Sequence, residues 1–157
     1  MDKAERISQA RRYLHALFEH KPPELRAVLW WKHFGCIASS YLDDMAKMGT
    51  QWNDTYCHVG LSDRYWPTGR PSAKDIVGIP GLWADIDVAG PGHKKEGLFK
   101  TADVARAFCE YRFLFPSLLV WSGHGWQPYW LFTEPWVFES DAEHAGASKS
   151  ELRRLRA

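Results

Sequence analysis

Between Gly81 and Val88 the chain reads GLWADIDV, with Leu82, Ala84, Ile86 and Val88 alternating with Trp83, Asp85 and Asp87. A period of two sends alternate side chains to opposite faces of an extended strand. The stretch therefore predicts a strand with one apolar face and two carboxylates on the other. Residues two apart on a strand lie roughly 6.5 to 7 Å from each other. Two acids at that spacing are either solvated at a strand end or lean toward a shared cation, and the flanking chain decides between these. Any fold this chain adopts has to bury one face of the strand and leave the acidic face open.

At 157 residues the chain is long enough for one domain around a single core. Within it, residues 1–50 read as an N-terminal helical and strand part, 51–138 as the core that carries the acidic strand, and 139–157 as a polar terminal helix. Lys and Arg number 20 against 19 acids, so any attraction to nucleic acid must come from a local basic surface. Cys36, Cys57 and Cys109 are odd in number and lack zinc-ligand spacing, which predicts reduced thiols in a cytoplasmic protein. The charged start, MDKAERISQARR, has no apolar signal run, and no stretch approaches the roughly 18 apolar residues of a membrane span. A soluble protein without a membrane partner is expected.

Residues 2–20 carry Ile7, Ala10, Leu14, Leu17 and Phe18 at helical spacing ahead of Pro22 and Pro23, which predicts an amphipathic helix. Ala27 to Ser39 reads as one buried strand, 40–48 as a short helix stopped at Gly49, and Thr55 to Leu61 as a further strand holding His58. A lone histidine there is read as a hydrogen-bonded core residue. Thr101 to Leu114 predicts a capped helix packed through Val104, Phe108, Tyr111 and Leu114. Ser117 to Trp121 and Trp126 to Phe132 then form a hairpin around the glycine turn Ser122-Gly123-His124-Gly125. Pro128 lacks a ladder donor, so the second strand is expected at an edge or in irregular pairing. The fold class is α/β (α+β), a mixed or antiparallel central sheet flanked by helices, with the acidic strand beside the glycine hairpin.

Polar groups collect around these two elements. Arg64, Arg70 and Lys74 precede the acids in a Gly- and Pro-rich loop, and His93, Lys94 and Lys95 follow them after a Gly-Pro-Gly turn. Such cations are suited to phosphate oxygens, arginine through two parallel hydrogen bonds. In the hairpin, Gly123 and Gly125 allow close approach of a bulky or anionic group, and Ser122, His124 and Gln127 bring hydroxyl, imidazole and amide donors to the opening.

The conjunction of GLWADIDVAGPGHKK, a helix, and FPSLLVWSGHGWQPYWLFTEP resembles the archaeo-eukaryotic primase superfamily. Within it the resemblance is to the bifunctional DNA primase/polymerase N-terminal (prim-pol) domains of phages, plasmids and other mobile elements, over about Tyr56 to Trp136. It implies an RRM-like primase-polymerase core in which Asp85 and Asp87 are catalytic and bind Mg²⁺ or Mn²⁺. Ser122, Gly123 and Gly125 match the nucleotide-binding motif; Gln127 departs from it, standing where the family has a histidine, and His124 inside the turn would offer an imidazole from another direction, so that these five residues would contact the nucleotide. His93, Lys94 and Arg70 would bind phosphates, and Trp126, Tyr129 or Trp130 would stack a base or sugar. The family's third carboxylate has no counterpart after Trp136, where Glu139, Asp141 and Glu143 fall in the polar helix, so the resemblance implies a core incomplete at its C-terminus.

The activity implied is metal-dependent nucleotidyl transfer, as primer synthesis or template-directed extension in DNA replication. Its partners would be nucleoside triphosphates, a single-stranded DNA template and a helicase domain or subunit. Two alternatives share the motif. One is a non-catalytic nucleotide- or DNA-binding module, which fits the missing acid. The other is a D-x-D glycosyltransferase, which would need a nucleotide-binding half that the first eighty residues do not clearly supply. A rolling-circle initiator is disfavoured because no His-x-His pair occurs in the chain.

Overall fold

The computed structural model describes residues 2–33, 35–52, 54–66, 69, 71–90, 96–111 and 114–139. They form a mixed α+β structure with a seven-stranded antiparallel sheet and three α-helices. The chain divides into two compact units, one built from residues up to Pro80 together with those from Thr133 onward, the other from Gly81–Phe132. None of the helices among the described residues is long and apolar enough to cross a membrane.

In the first unit, helix α1 (Lys3–Phe18) starts where the Asp2 carboxylate accepts the Glu5 N–H at 2.8 Å, capping one of the free amides of the first turn. It buries Leu14, Leu17 and Phe18. Strands β1 (Arg26–Trp31) and β2 (Gly35–Ser39) follow as an antiparallel hairpin, with Trp31 opposite Gly35 and Ala27 opposite Ser39. The single strand expected over 27–39 is thus two. Gly35 makes the reversal, since its φ of +88° lies in the region that a side chain disfavours.

Helix α2 (Leu42–Gly49) packs on α1 and buries Leu42, Met45 and Ala46. It stops at Gly49, as the sequence predicts, although its N-cap is Tyr41, whose amide bonds the Ser39 hydroxyl. Strand β3 (Thr55–Ser62) pairs with β1, and β4 (Gly78–Trp83) meets β3 at Leu61 and Gly78. Among the described residues of this unit, the apolar side chains of Phe18, Val28, Met45 and Leu61 are fully buried. Each contributes about 1.5–3 kcal/mol by leaving water.

In the second unit, β5 (Ile86–Asp87) and β6 (Leu118–Trp121) pair with the part of β7 (Gly125–Val137) that precedes Thr133, and helix α3 (Ala102–Tyr111) lies beside them. Thr101 caps α3 by accepting the Val104 N–H at 3.3 Å. The helix turns Ala105 and Cys109 inward, leaving Val104 at 54 % and Tyr111 at 80 % exposure, and Leu114 beyond its end is exposed as well. The expected packing stripe of Val104, Tyr111 and Leu114 is therefore corrected. What sets the rotation is Trp126, whose indole N–H donates to the Ala102 carbonyl at 2.8 Å and draws that side of the helix to the sheet.

Candidate active site

Asp85 and Asp87 lie along one edge of β7. Gly81 passes close to the Trp130 carbonyl, the Ala84 N–H donates to Pro128 O at 3.2 Å, Ile86 pairs with Trp126, Asp87 with Gly125, and Val88 N–H donates to His124 O at 3.1 Å. One register runs through all of these, so the alternation in GLWADIDV corresponds to a nearly continuous strand. It is interrupted at Ala84 and Asp85, between β4 and β5. Pro128 explains the interruption, since it accepts from Ala84 but has no N–H to return to the Ala84 carbonyl. Pro128 is nonetheless not at an edge, because Leu119 of β6 pairs with it on the other side. The edge placement expected for this strand is corrected, and the irregular pairing is present.

Hydrogen bonds at Ala84 and Val88 make those positions the bonded pairs of the ladder. Asp85 opposite Gln127 and Asp87 opposite Gly125 are therefore non-bonded pairs, in which facing side chains come closest. Facing residues of an antiparallel pair share a sheet face, so Asp85, Asp87, Gln127 and Tyr129 lie on one face while Ile86, Trp126 and Pro128 lie on the other. Asp85 is exposed and Asp87 half-buried. Gln127 Nε2 donates to Asp85 Oδ1 at 3.4 Å, and the Tyr129 hydroxyl donates to Gln127 Oε1 at 3.4 Å. Both contacts exceed the usual hydrogen-bond range, so this relay orients Asp85 while leaving it room to move.

The glycine turn closes against the acidic strand. Gly125 has no space for a side chain, because a Cβ there would collide with the Ile86 carbonyl oxygen and lie 3.1 Å from Asp87 Cα. Gly123 takes a φ of +94°. Ser122 holds the turn together, its hydroxyl donating to Gly125 O at 3.0 Å and accepting from the Gly125 N–H at 3.1 Å. Its proton is used within the turn, so Ser122 shapes the opening and is not a ready donor to a nucleotide. His124 is exposed at the tip.

Two expected stacking residues stand differently. Tyr129 is 2 % exposed, and its ring is enclosed while its hydroxyl serves Gln127. Trp126 lies on the face opposite the carboxylates, packed on Trp121 at 5.0 Å and beneath the Arg106 guanidinium at 5.7 Å. Period-two alternation forbids residues 126 and 129 from sharing a face, so they cannot flank one ligand on the acidic side. Trp130 shares the Trp126 side and donates its indole N–H to Leu114 O.

Arg70, His93 and Lys94, the expected phosphate ligands, lie outside the described residues, as do Lys95 and the terminal helix from Ser140 on. In the first unit, Arg64 pairs with Asp75 at 3.3 Å and Asp63 at 3.8 Å. His58 accepts the Gly60 N–H through Nδ1 at 3.1 Å, so the hydrogen bond expected of it is present, but it is half-buried and not a core residue. Cys36, Cys57 and Cys109 are free thiols. Among the described residues, no group of three or more His, Cys, Asp and Glu side chains is arranged to hold a metal ion. The supporting role of Tyr129 was readable only as the i+2 neighbour of Gln127 on the same strand face.

No protein-family model, curated protein or solved structure matches the chain.

Proposed function

We propose that the chain is a metal-dependent nucleotidyltransferase module of the DNA primase/polymerase type, built on a primase-polymerase core. The observation that carries this reading is the pairing of Asp87 with Gly125, which sets two carboxylates beside a glycine turn on one sheet face. Their oxygens are hard donors of the kind Mg²⁺ and Mn²⁺ take, and Mg²⁺ is commonly held by one or two carboxylates with the remaining positions left to water and phosphate. Asp85 and Asp87 would hold the ion. When bound, it would supply charge neutralisation at a triphosphate and a lowered pKa for an attacking 3′-hydroxyl.

The chain's own residues have separate parts in this reading. Gln127 faces the Asp85 carboxylate on its Oδ1 side, and Tyr129 orients the amide with its N–H₂ toward the acid, both through long contacts that leave Asp85 room to move. Gly125 adds no side chain next to Asp87, which lets the glycine turn close directly on the acidic strand. A DNA template, a helicase partner and a cytoplasmic location belong to the same reading.

The test is nucleoside triphosphate binding with and without Mn²⁺, in wild type and in Asp87→Ala. Mn²⁺ should tighten binding to the wild type, and Asp87→Ala should lose on the order of tenfold or more of that gain. Equal binding in all four conditions would remove the metal site. A second reading, a non-catalytic nucleotide- or DNA-binding module, is favoured by the missing third acid among the described residues. It predicts Mn²⁺-dependent nucleotide binding with no extension of a primed template.

A further inference from the structure

Ala10, Tyr13 and Leu14 are spaced three and four residues apart and so share one face of α1. Between that face, α2 and the β1–β3 pair the first unit holds a cavity of about 200 Å³. Leu14, Leu29 and Met45 line it from these three sides and are buried, which makes them its floor. Ala10 and Tyr13 on α1 and Cys57 on β3 are half-buried and form its rim. Ala10 reaches inward with a single methyl, and the space remains where a longer side chain at that position would lie.

We propose that this cavity binds a small uncharged aromatic molecule, a single ring with one small substituent. Size sets the limit, since an apolar cavity of about 150 Å³ is enough to hold benzene. The lining sets the charge. Among the described residues, no Asp, Glu, Lys or Arg side chain lines the space. The Thr55 hydroxyl at its edge donates to Gly49 O at 2.7 Å and accepts from the Trp31 indole N–H at 2.7 Å. Cys57 donates to His58 O at 3.7 Å and takes a hydrogen bond from Tyr13. These polar groups are already engaged with the protein, so a charged ligand would give up its water with little in return. An apolar one loses nothing by entering.

A ring suits the lining better than an aliphatic chain. Met45 is unbranched and adapts to the shape of what it touches, and its thioether sulfur is attracted to ring edges. Tyr13 offers a second ring at the rim, which an aromatic guest meets offset or edge-on. An aliphatic chain has no such partners and loses more rotational freedom on entry. Water is a poor occupant for the same reason that a charge is, because it needs two to four polar partners and those in the lining are bonded to one another or to the backbone. The volume is also too small for a peptide segment.

This cavity lies in the first unit, goes beyond the metal site and does not depend on it. The experiment is a toluene titration of the full chain labelled with methyl-¹³C methionine, followed by NMR. Met45 is on the cavity floor and Met48, on the same helix, is 39 % exposed, so two methyls of one spectrum separate entry from non-specific contact. The Met45 signal should move saturably with a Kd on the order of a millimolar, the affinity that about seven non-hydrogen atoms reach, while Met48 stays in place. Ala10→Leu fills the space from the rim at little cost in helix propensity and should weaken binding by about tenfold or more. Benzoate, the same ring carrying a charge, should also bind about tenfold more weakly or worse. Phenol should bind ahead of cyclohexanol, which lacks the π face. A Met45 signal that does not saturate, a folded Ala10→Leu within about twofold of wild type, benzoate equal to toluene, or cyclohexanol equal to phenol overturns the proposal. The wild-type titrations decide even where Ala10→Leu does not fold. Mn²⁺-dependent nucleotide binding measured with and without toluene should be the same, so that failure of this cavity and failure of the metal site are read separately.

Discussion

Asp87 and Gly125 face each other across β5 and β7, and the backbone of the acidic strand occupies the space where a side chain on Gly125 would lie. The glycine is required here for close approach, not for an unusual φ. Gly125→Ala should therefore force the two strands apart and destabilise the protein by about 1–3 kcal/mol, the usual cost of an added methyl in a packed position. It should also weaken Mn²⁺-dependent nucleotide binding by moving Asp87. Urea unfolding together with nucleotide titration checks both. A variant with wild-type stability would show that the strands are not in contact at this point.

Gln127 stands opposite Asp85 on the face that carries both acids, which makes it the position from which a third carboxylate would reach them. Gln127→Glu should raise Mn²⁺ affinity by on the order of tenfold, since affinity at such oxygen sites follows the count of charged ligands. Without metal the same change should cost about 0.2–1 kcal/mol, because like charges directly opposite each other on a sheet repel. Calorimetric Mn²⁺ titration and thermal melts with and without the ion separate the two effects. Destabilisation with no gain in Mn²⁺ affinity would count against a shared cation.

The acidic strand and the glycine hairpin were legible because their signals are local. Alternation from Leu82 to Val88 and two glycines within Ser122–Gly125 need no knowledge of partners. The placement of Pro128 was not legible, since which strands flank it depends on residues forty positions earlier in the chain. The β1–β2 hairpin was hidden because its turn is marked only by Gly35, between apolar runs that continue on both sides. The buried face of helix α3 was misread because Val104 and Tyr111 look apolar, whereas its buried positions are the small Ala105 and Cys109. Small side chains on that face leave room for close approach, and the Trp126 hydrogen bond to Ala102 holds that side of the helix to the sheet. Face assignment within β7 follows from strand period alone, and an odd separation of three residues is enough to put Trp126 and Tyr129 on opposite faces.

Helices α1 and α2 are joined by Asp43, which accepts from Arg11 Nε at 2.7 Å and contacts His15 Nε2 at 3.2 Å. The hydrogen bond from His15, followed by the charge of Arg11, holds the Asp43 carboxyl below its ordinary value of 3.8. A depressed carboxylate pKa gives stability that is present above the ordinary value and lost as pH falls through the folded one. The pair is exposed, so the effect is small and screened by salt. Asp43→Asn should lower the urea midpoint slightly at neutral pH, and the difference from wild type should shrink progressively as the pH falls below 3.8. Equal midpoints at both pH values would mean that the clip contributes nothing.

Cys57 presents the opposite sign. Its half-buried side chain lines a cavity of about 200 Å³ shared with Tyr13, Leu14, Leu29, Met45 and Thr55, and burial pushes its pKa from 9.0 up to about 12 against a smaller opposing hydrogen bond from Tyr13. The folded protein then keeps the proton where the unfolded chain releases it. Stability from this group is complete below pH 9.0 and falls as pH rises toward about 12, by about 1.4 kcal/mol per pH unit in that window. Lysine and tyrosine titrations also act there, so the decisive quantity is the difference between wild type and Cys57→Ala. The variant should be less stable at neutral pH, having enlarged the cavity, and should lose less stability than wild type above pH 9.0. At neutral pH a thiol reagent should label Cys36 ahead of Cys57, since only the thiolate reacts and burial, which raises both thiols, lifts that of Cys57 to about 12. If the two urea-midpoint profiles fall in parallel above pH 9.0, Cys57 is not the group that titrates.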